Sequence, residues 1–117
     1  MNNPQNLDKV FDALANEHRR EIIYALGSRP WSISELASRR GLSLPAIHRH
    51  IKALEEADMV ARKKIGRTNL LAIRRQPLRG LQDWVRQFHP YWGDDKESLE
   101  NYADHLSKQQ ANTEEQE

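Results

Sequence analysis

Two helix-start signals eleven residues apart, with a glycine between them, constrain this 117-residue chain more than any other feature. In the stretch WSISELASRRGLSLPAIHRHIKALEEADM, residues 31–59, Ser32 is followed three residues later by Glu35. That is the spacing of a capping box, in which a hydroxyl and a carboxylate each satisfy a backbone N–H left unpaired by the helix start. Trp31 and Leu36 stand where a hydrophobic staple forms. Ser43 repeats the device, with Pro45 in the first turn, where its missing N–H costs little, and Leu42 placed to staple onto Ile47. Gly41 lies at the sharp turn and takes a positive φ without a Cβ clash. Counting from Ile33, the small Ala37, Gly41 and the β-branched Ile47 fall fifth, ninth and fifteenth, a spacing that lets two helices cross closely. The pattern predicts a helix-turn-helix.

On the second of these helices Ile47, Ile51 and Leu54 recur at i, i+4, i+7 and define a buried stripe. Pro45, Arg49 and Lys52 project from the opposite side, with His48 beside them. A helix buried by one face and basic on the other has the form that enters a DNA major groove; the alternative is a solvated charged face. Net charge is only +1, yet residues 28–75 hold eleven Lys and Arg against four acids, a local +7, and the remainder carries −6. The centre of the chain thus has the electrostatic footprint of a phosphate-binding surface.

Composition excludes several classes. The absence of cysteine removes disulfides, thiolate metal ligation and a cysteine redox switch together. No apolar run reaches the length of a membrane span, and the polar MNNPQNLDK start has no signal core, so a cytoplasmic protein is expected. There is no nucleophile elbow, P-loop, HExxH or dinucleotide fingerprint, and Glu55-Glu56 are neighbours on a helix surface rather than converging groups. An enzyme is not expected, nor is a cofactor.

Residues 1–5 read as flexible. From Asn6, Leu7, Val10, Phe11 and Leu14 give i, i+3, i+4, i+7, an amphipathic helix closed by Ala15-Asn16. Asn16 caps a second helix with Ile22, Ile23 and Leu26 facing inward, ended by Gly27 and Pro30. After the helix-turn-helix, residues 60–73 read as a β-hairpin turning at Gly66, with Leu71 and Ile73 on one face. A hairpin carrying Arg62, Lys63, Lys64 and Arg67 beside a recognition helix is a wing placed to touch phosphates or a minor groove; the bland version is an edge protected by lysine. Pro77 stops the strand; Leu78, Leu81, Trp84, Val85 and Phe88 begin another apolar helical stripe, which His89-Pro90 interrupts. Trp92, Leu99, Tyr102 and Leu106 continue at helical spacing, capped by Asp94 or Asp95, and residues 108–117 read as a disordered tail.

Three apolar stripes, residues 7–14, 78–88 and 91–106, exceed what so small a core can cover, and a second subunit would cover them. The candidate dimerisation residues are Leu7, Val10, Phe11, Leu14, Trp84, Phe88, Trp92, Leu99, Tyr102 and Leu106; the alternative is that these helices complete the monomer core. Two recognition helices would then address half-sites about 34 Å apart. The expected fold is mainly α with a small β-hairpin. It is a winged helix-turn-helix over residues 6–75, with dimerisation helices at the N-terminus and over 76–107. The candidate DNA-binding residues are Ser43, Pro45, Ala46, His48, Arg49, Lys52, Arg62, Lys63, Lys64 and Arg67. Arg49 would read a base edge such as guanine, His48 would add a base contact, and Ser43, Lys52, Lys63, Lys64 and Arg67 would hold phosphates.

With those residues in place the chain resembles the ArsR-type winged helix-turn-helix repressors over roughly residues 7–75. VFDALANEHRREIIYAL is similar to the family's opening helices, SELASRRGLSLPAIHRHIKALEEADMV to its helix-turn-helix and RKKIGRTNLLAI to its wing. The resemblance implies a homodimeric transcriptional repressor on double-stranded DNA, binding an imperfect inverted repeat and released by an effector, a protein or a small molecule. The chain departs from the family pattern at His48 in place of serine, Asp58 in place of glycine after the recognition helix, and Leu71 in place of the wing tyrosine. Ser34, Glu35, Leu36 and Ala37 occupy the segment that carries metalloid-binding cysteines in the founding members, so sensing through thiolates is excluded. Some relatives bind zinc or nickel through the last helix, but Asp104 and His105 are adjacent and point to different faces, and no metal site is expected. The competing reading is a winged-helix protein-interaction module with little DNA binding of its own.

Overall fold

The computed structural model describes residues 4–88, 93–94 and 97–116. The elements are α1 (Pro4–Leu14), α2 (Glu17–Leu26), β1 (Trp31–Ser32), α3 (Ile33–Arg40), α4 (Leu44–Glu56), β2 (Val60–Ile65), β3 (Thr68–Ile73), α5 (Gln76–Arg86) and α6 (Ser98–Gln116). They divide into two compact units, Met1–Trp84 and Val85–Glu117.

In the first unit, local chemistry sets the helix limits. Asn16 accepts a hydrogen bond from the Arg19 backbone N–H at 3.2 Å and starts α2. Both halves of the capping box form: Glu35 N–H donates to Ser32 Oγ and Ser32 N–H donates to Glu35 Oε1, each at 3.0 Å. Glu35 is held below its ordinary carboxylate range by the Ser32 backbone N–H first, then by the Ser32 hydroxyl and Arg29. Gly41 has φ +64, and the bonds Leu42 N–H to Ala37 O (2.9 Å) and Gly41 N–H to Ser38 O (3.2 Å) close α3 as a Schellman motif. The same motif ends α4, with Met59 N–H to Leu54 O (3.0 Å) and Asp58 N–H to Glu55 O (2.9 Å), but here Asp58 holds the left-handed position at φ +60. The sequence departure at Asp58 therefore keeps the glycine-like exit, at the strain cost of a Cβ in that region.

The stripes of these helices meet in one core. Ile22, Leu36, Ile47, Ile51, Leu54, Met59 and Leu71 are fully buried, and Val10 and Leu26 nearly so. Each such side chain gains roughly 1.5–3 kcal/mol from burial, so packing of α4 by this face, not helix propensity, holds the helix-turn-helix in place. Leu14, Trp31, Leu78 and Leu81 pack around it, half-buried.

The sheet has three strands in the order β1-β3-β2, all antiparallel. The hairpin register runs from Val60 opposite Ile73 to Ile65 opposite Thr68, leaving the two-residue loop Gly66-Arg67. Gly66 has φ +61 while Arg67 does not have a positive φ, the sign pattern of a type II′ turn. The third strand, β1, is absent from the sequence expectation: two residues long, it pairs Trp31 with Leu71 and Ser32 with Leu70. This ties the start of the helix-turn-helix to the middle of the wing.

Several expectations are corrected. Helix α1 begins at Pro4 rather than after a flexible residue 5, because proline is tolerated where the first N–H groups are unpaired anyway. Val10, expected in a dimer face, is 1% exposed and belongs to the monomer core. Pro77 does not stop β3, which ends at Ile73 where its partner strand ends; it lies in the first turn of α5, opened by Arg75 O accepting from Arg79 N–H at 2.9 Å.

In the second unit, Asp94 Oδ1 accepts from Glu97 N–H at 2.8 Å and caps the turn leading into α6. Gly93 has φ +102, and a Cβ there would come within 2.9 Å of the Asn101 and Glu97 side chains. Trp92 and Asp95 lie outside the described residues. Residues 108–116, expected to be disordered, continue α6 to Gln116; the segment has no Gly or Pro and is rich in Lys, Gln, Ala and Glu, which favour the helix.

Candidate nucleic-acid interface

The geometry of the site begins with the two faces of α4. Its inner face is buried through Ile47, Ile51 and Leu54, so the helix cannot rotate without exposing them. Ser43, Pro45, His48, Arg49 and Lys52 are all exposed, and Ala46 is half-buried between the two faces. Ser43 Oγ accepts from Ala46 N–H at 3.3 Å, which leaves its hydroxyl proton free to donate outward. The first turn of α4 has no acid, so the positive end of its dipole is unscreened by a carboxylate. Toward the C-terminus the exposed surface turns acidic at Glu55 and Glu56, which confines the basic surface to the first three turns.

The wing adds cations on both of its faces. Arg62 stands opposite the buried Leu71 and Lys64 opposite Asn69, so these two share the inward side of the ribbon, while Lys63, opposite Leu70, points to the other. Arg67 occupies the turn.

Of the eleven cations counted in residues 28–75, the structure commits five to internal partners. Arg29 stacks on the Trp31 ring at 3.8 Å and pairs with Glu35 at 3.2 Å, and Arg39 lies 5.3 Å from the same ring. Arg40 Nε donates to His18 Nδ1 at 3.1 Å, and Arg74 pairs with Asp58 at 3.4 Å. Arg62, read from sequence as a wing contact to DNA, donates to Glu55 Oε1 at 2.6 Å and so joins the wing to the end of α4. Arg49, Lys52, Lys63, Lys64 and Arg67 are exposed with no ion pair or side-chain hydrogen bond among the described residues. The sequence placed these five correctly as exposed cations. It missed the engagement of Arg62, whose only signal was Glu55 seven residues earlier.

The candidate dimerisation residues divide in the same way. Leu7 and Leu14 are half-buried in the first unit, whereas Phe11 (40% exposed) and Trp84 (38%) meet edge to face, with ring centroids 5.3 Å apart and planes at 79°. In the second unit Phe88, Leu99, Tyr102 and Leu106 are exposed. Among the described residues no group of three or more His, Cys, Asp or Glu could hold a metal ion, and no helix is long and apolar enough to cross a membrane.

Comparison with known proteins agrees with this geometry. The model of a helix-turn-helix domain family matches residues 14–62. The uncharacterized HTH-type transcriptional regulator YuzN of Bacillus subtilis is 31% identical over 88 residues, covering 68% of this chain and 96% of its own. The crystal structure of the ArsR family transcriptional regulator RHA00566 superposes with a TM-score of 0.69 at 31% identity, over 74% of this chain and 89% of its own. The homodimeric winged helix-turn-helix DNA-binding domain of a Mycobacterium bovis protein, a possible ArsR-family regulator by its description, shares the fold at 22% identity, with a TM-score of 0.61 over 71% of this chain and 80% of its own. Three other curated transcriptional regulators match more shortly, and the chain spans 55, 55 and 56% of their lengths.

Proposed function

The chain belongs to the ArsR family of winged helix-turn-helix transcriptional regulators, and from that premise we propose that it acts as a homodimeric repressor on an inverted-repeat DNA operator. The observation that carries this reading is the exposed face of α4. There Arg49 and Lys52 have no ion pair or side-chain hydrogen bond among the described residues, on a helix whose opposite face is locked into the core. Arg49 offers a bidentate fork to guanine O6 and N7, and His48, Pro45 and Ala46 lie along the same edge of the groove. Lys52, Lys63, Lys64, Arg67, the Ser43 hydroxyl and the α4 N-terminus hold phosphates, which position the helix without reading sequence.

The exposed Phe11–Trp84 pair supports self-association, because two such rings left in water forfeit burial that a symmetric partner restores. Two copies of α4 then meet successive major grooves about 34 Å apart. Release by a protein or small-molecule effector and a cytoplasmic location complete the reading; catalysis has no part in it.

The test is anisotropy with a duplex enriched from a random-sequence pool, compared with an unselected duplex. Arg49→Ala loses about 1–3 kcal/mol on the enriched duplex and relaxes preference at one base pair, whereas Lys64→Ala weakens both duplexes alike. Equal losses on both duplexes for Arg49→Ala remove it from base reading. No binding to either at low salt, where phosphate contacts are strongest, favours a protein-interaction module instead.

A further inference from the structure

The seam between α2 and α4 holds a cluster that DNA contact does not use. His18, in the first turn of α2, and His50, in the middle of α4, bring their rings to 5.4 Å between centroids, tilted by 37°. His50 is half-buried, and its Nδ1 is buried with no hydrogen-bond partner. His18 Nδ1 accepts from Arg40 Nε on α3 at 3.1 Å. A guanidinium can only donate, so His18 Nδ1 is the acceptor in that bond and holds the ring in place against His50.

The charges acting on His50 are positive, while His18 shares α2 with Glu17 and Glu21. Arg19 on α2 is anchored by donating to the backbone carbonyls of Ala13 at 2.6 Å and Asp12 at 3.1 Å in α1. Arg40 reaches the pair from α3 and Arg49 from α4 itself. Among the described residues no carboxylate, from α1, β2 or any other packed element, is among the charges acting on His50. Burial first, then Arg19, His18 and Arg49, push His50 below its ordinary value. The seam therefore fits a neutral His50 ring better than a charged one.

We propose that His50, packed against His18 in this seam, is an acid-sensitive release built into the helix-turn-helix: its protonation loosens α4 from α2 and weakens DNA binding as pH falls through the histidine range. The proposal rests on the DNA-binding reading above and adds a signal to it. Its sign is distinctive. A histidine kept neutral in the folded state takes up a proton on unfolding, so the stability it contributes is full above pH 6.5, its ordinary value, and is lost as pH falls below that.

The experiment uses the full chain between about pH 5 and 8, the window in which histidine titrates. Urea unfolding is followed without DNA, and anisotropy with the pool-enriched duplex. On acidification the unfolding constant is expected to rise by up to about tenfold per pH unit for one proton taken up, and duplex affinity to fall with it. His50→Gln removes both trends, and His50→Asn does the same should the first variant fold poorly. Affinity that rises or stays level as pH falls overturns the release, as does an acid trend that survives in both variants. Absence of duplex binding at every pH refutes the regulator reading and the release together, whereas specific binding without acid dependence refutes the release alone.

Discussion

The ion pair between Glu55 and Arg62 makes a sharp prediction, because it separates what a wing arginine contributes to fold from what it contributes to DNA. Glu55→Gln keeps the side chain's size and removes its charge, which frees Arg62 at the base of the wing. The pair is short, 2.6 Å, but its side chains are 34% and 37% exposed, so solvent screens it and the stability loss should be about 0.5 kcal/mol. The effect on DNA should be larger and opposite. One more cation able to meet a phosphate steepens the slope of log affinity against log salt by about 0.9. Between 50 and 200 mM salt that slope is worth roughly a three- to fourfold extra change in affinity. The assay is anisotropy over a salt series for wild type, Glu55→Gln, Arg62→Ala and the double variant, with urea unfolding of each. Wild type, Arg62→Ala and the double variant should share one salt slope, and Glu55→Gln alone should exceed it. If Arg62→Ala flattens the slope by about one phosphate, the pair opens on DNA and the reasoning is wrong.

The left-handed Asp58 predicts a rank order in urea unfolding: Asp58→Gly at least as stable as wild type, and Asp58→Val less stable by about 1–2 kcal/mol, because a branched Cβ is costly at φ +60. A destabilised glycine variant would mean that the exposed contact with Arg74 outweighs backbone strain. Ser32→Ala should cost about 1 kcal/mol through the lost cap. Since Glu35 is held below its ordinary 4.5, its contribution is present above that value and disappears as pH falls further; Glu35→Gln should flatten the acid limb of stability, and an unchanged limb refutes the assignment. Phe11→Asp should leave the monomer folded and shift sedimentation to a single copy, whereas Val10→Asp should unfold the chain; an associated Phe11→Asp variant would exclude this patch from the interface.

Much of the fold is local in origin and was legible for that reason. The starts at Ser32 and Ser43 and the turn at Gly41 depend on residues within about four positions of one another, and the stripe of α4 depends on a period the sequence displays. The exposed cations of α4 and the wing tip followed from the same period, because the side opposite a buried stripe must face water.

What the chain alone determined is therefore the helices and the hairpin that their own caps, turns and periods mark, and the side of α4 that goes inward. Only the tertiary structure decided which side chains meet across them: Trp31 with Leu71 in the third strand, Arg62 with Glu55, His18 with His50, and Val10 in the core while Phe11, one residue on, stays outside. The physical reason is range. A cap or a turn is satisfied by its immediate neighbours, but the partner of a surface charge or a ring is set by segments distant in sequence, and nothing in their own neighbourhoods names that partner.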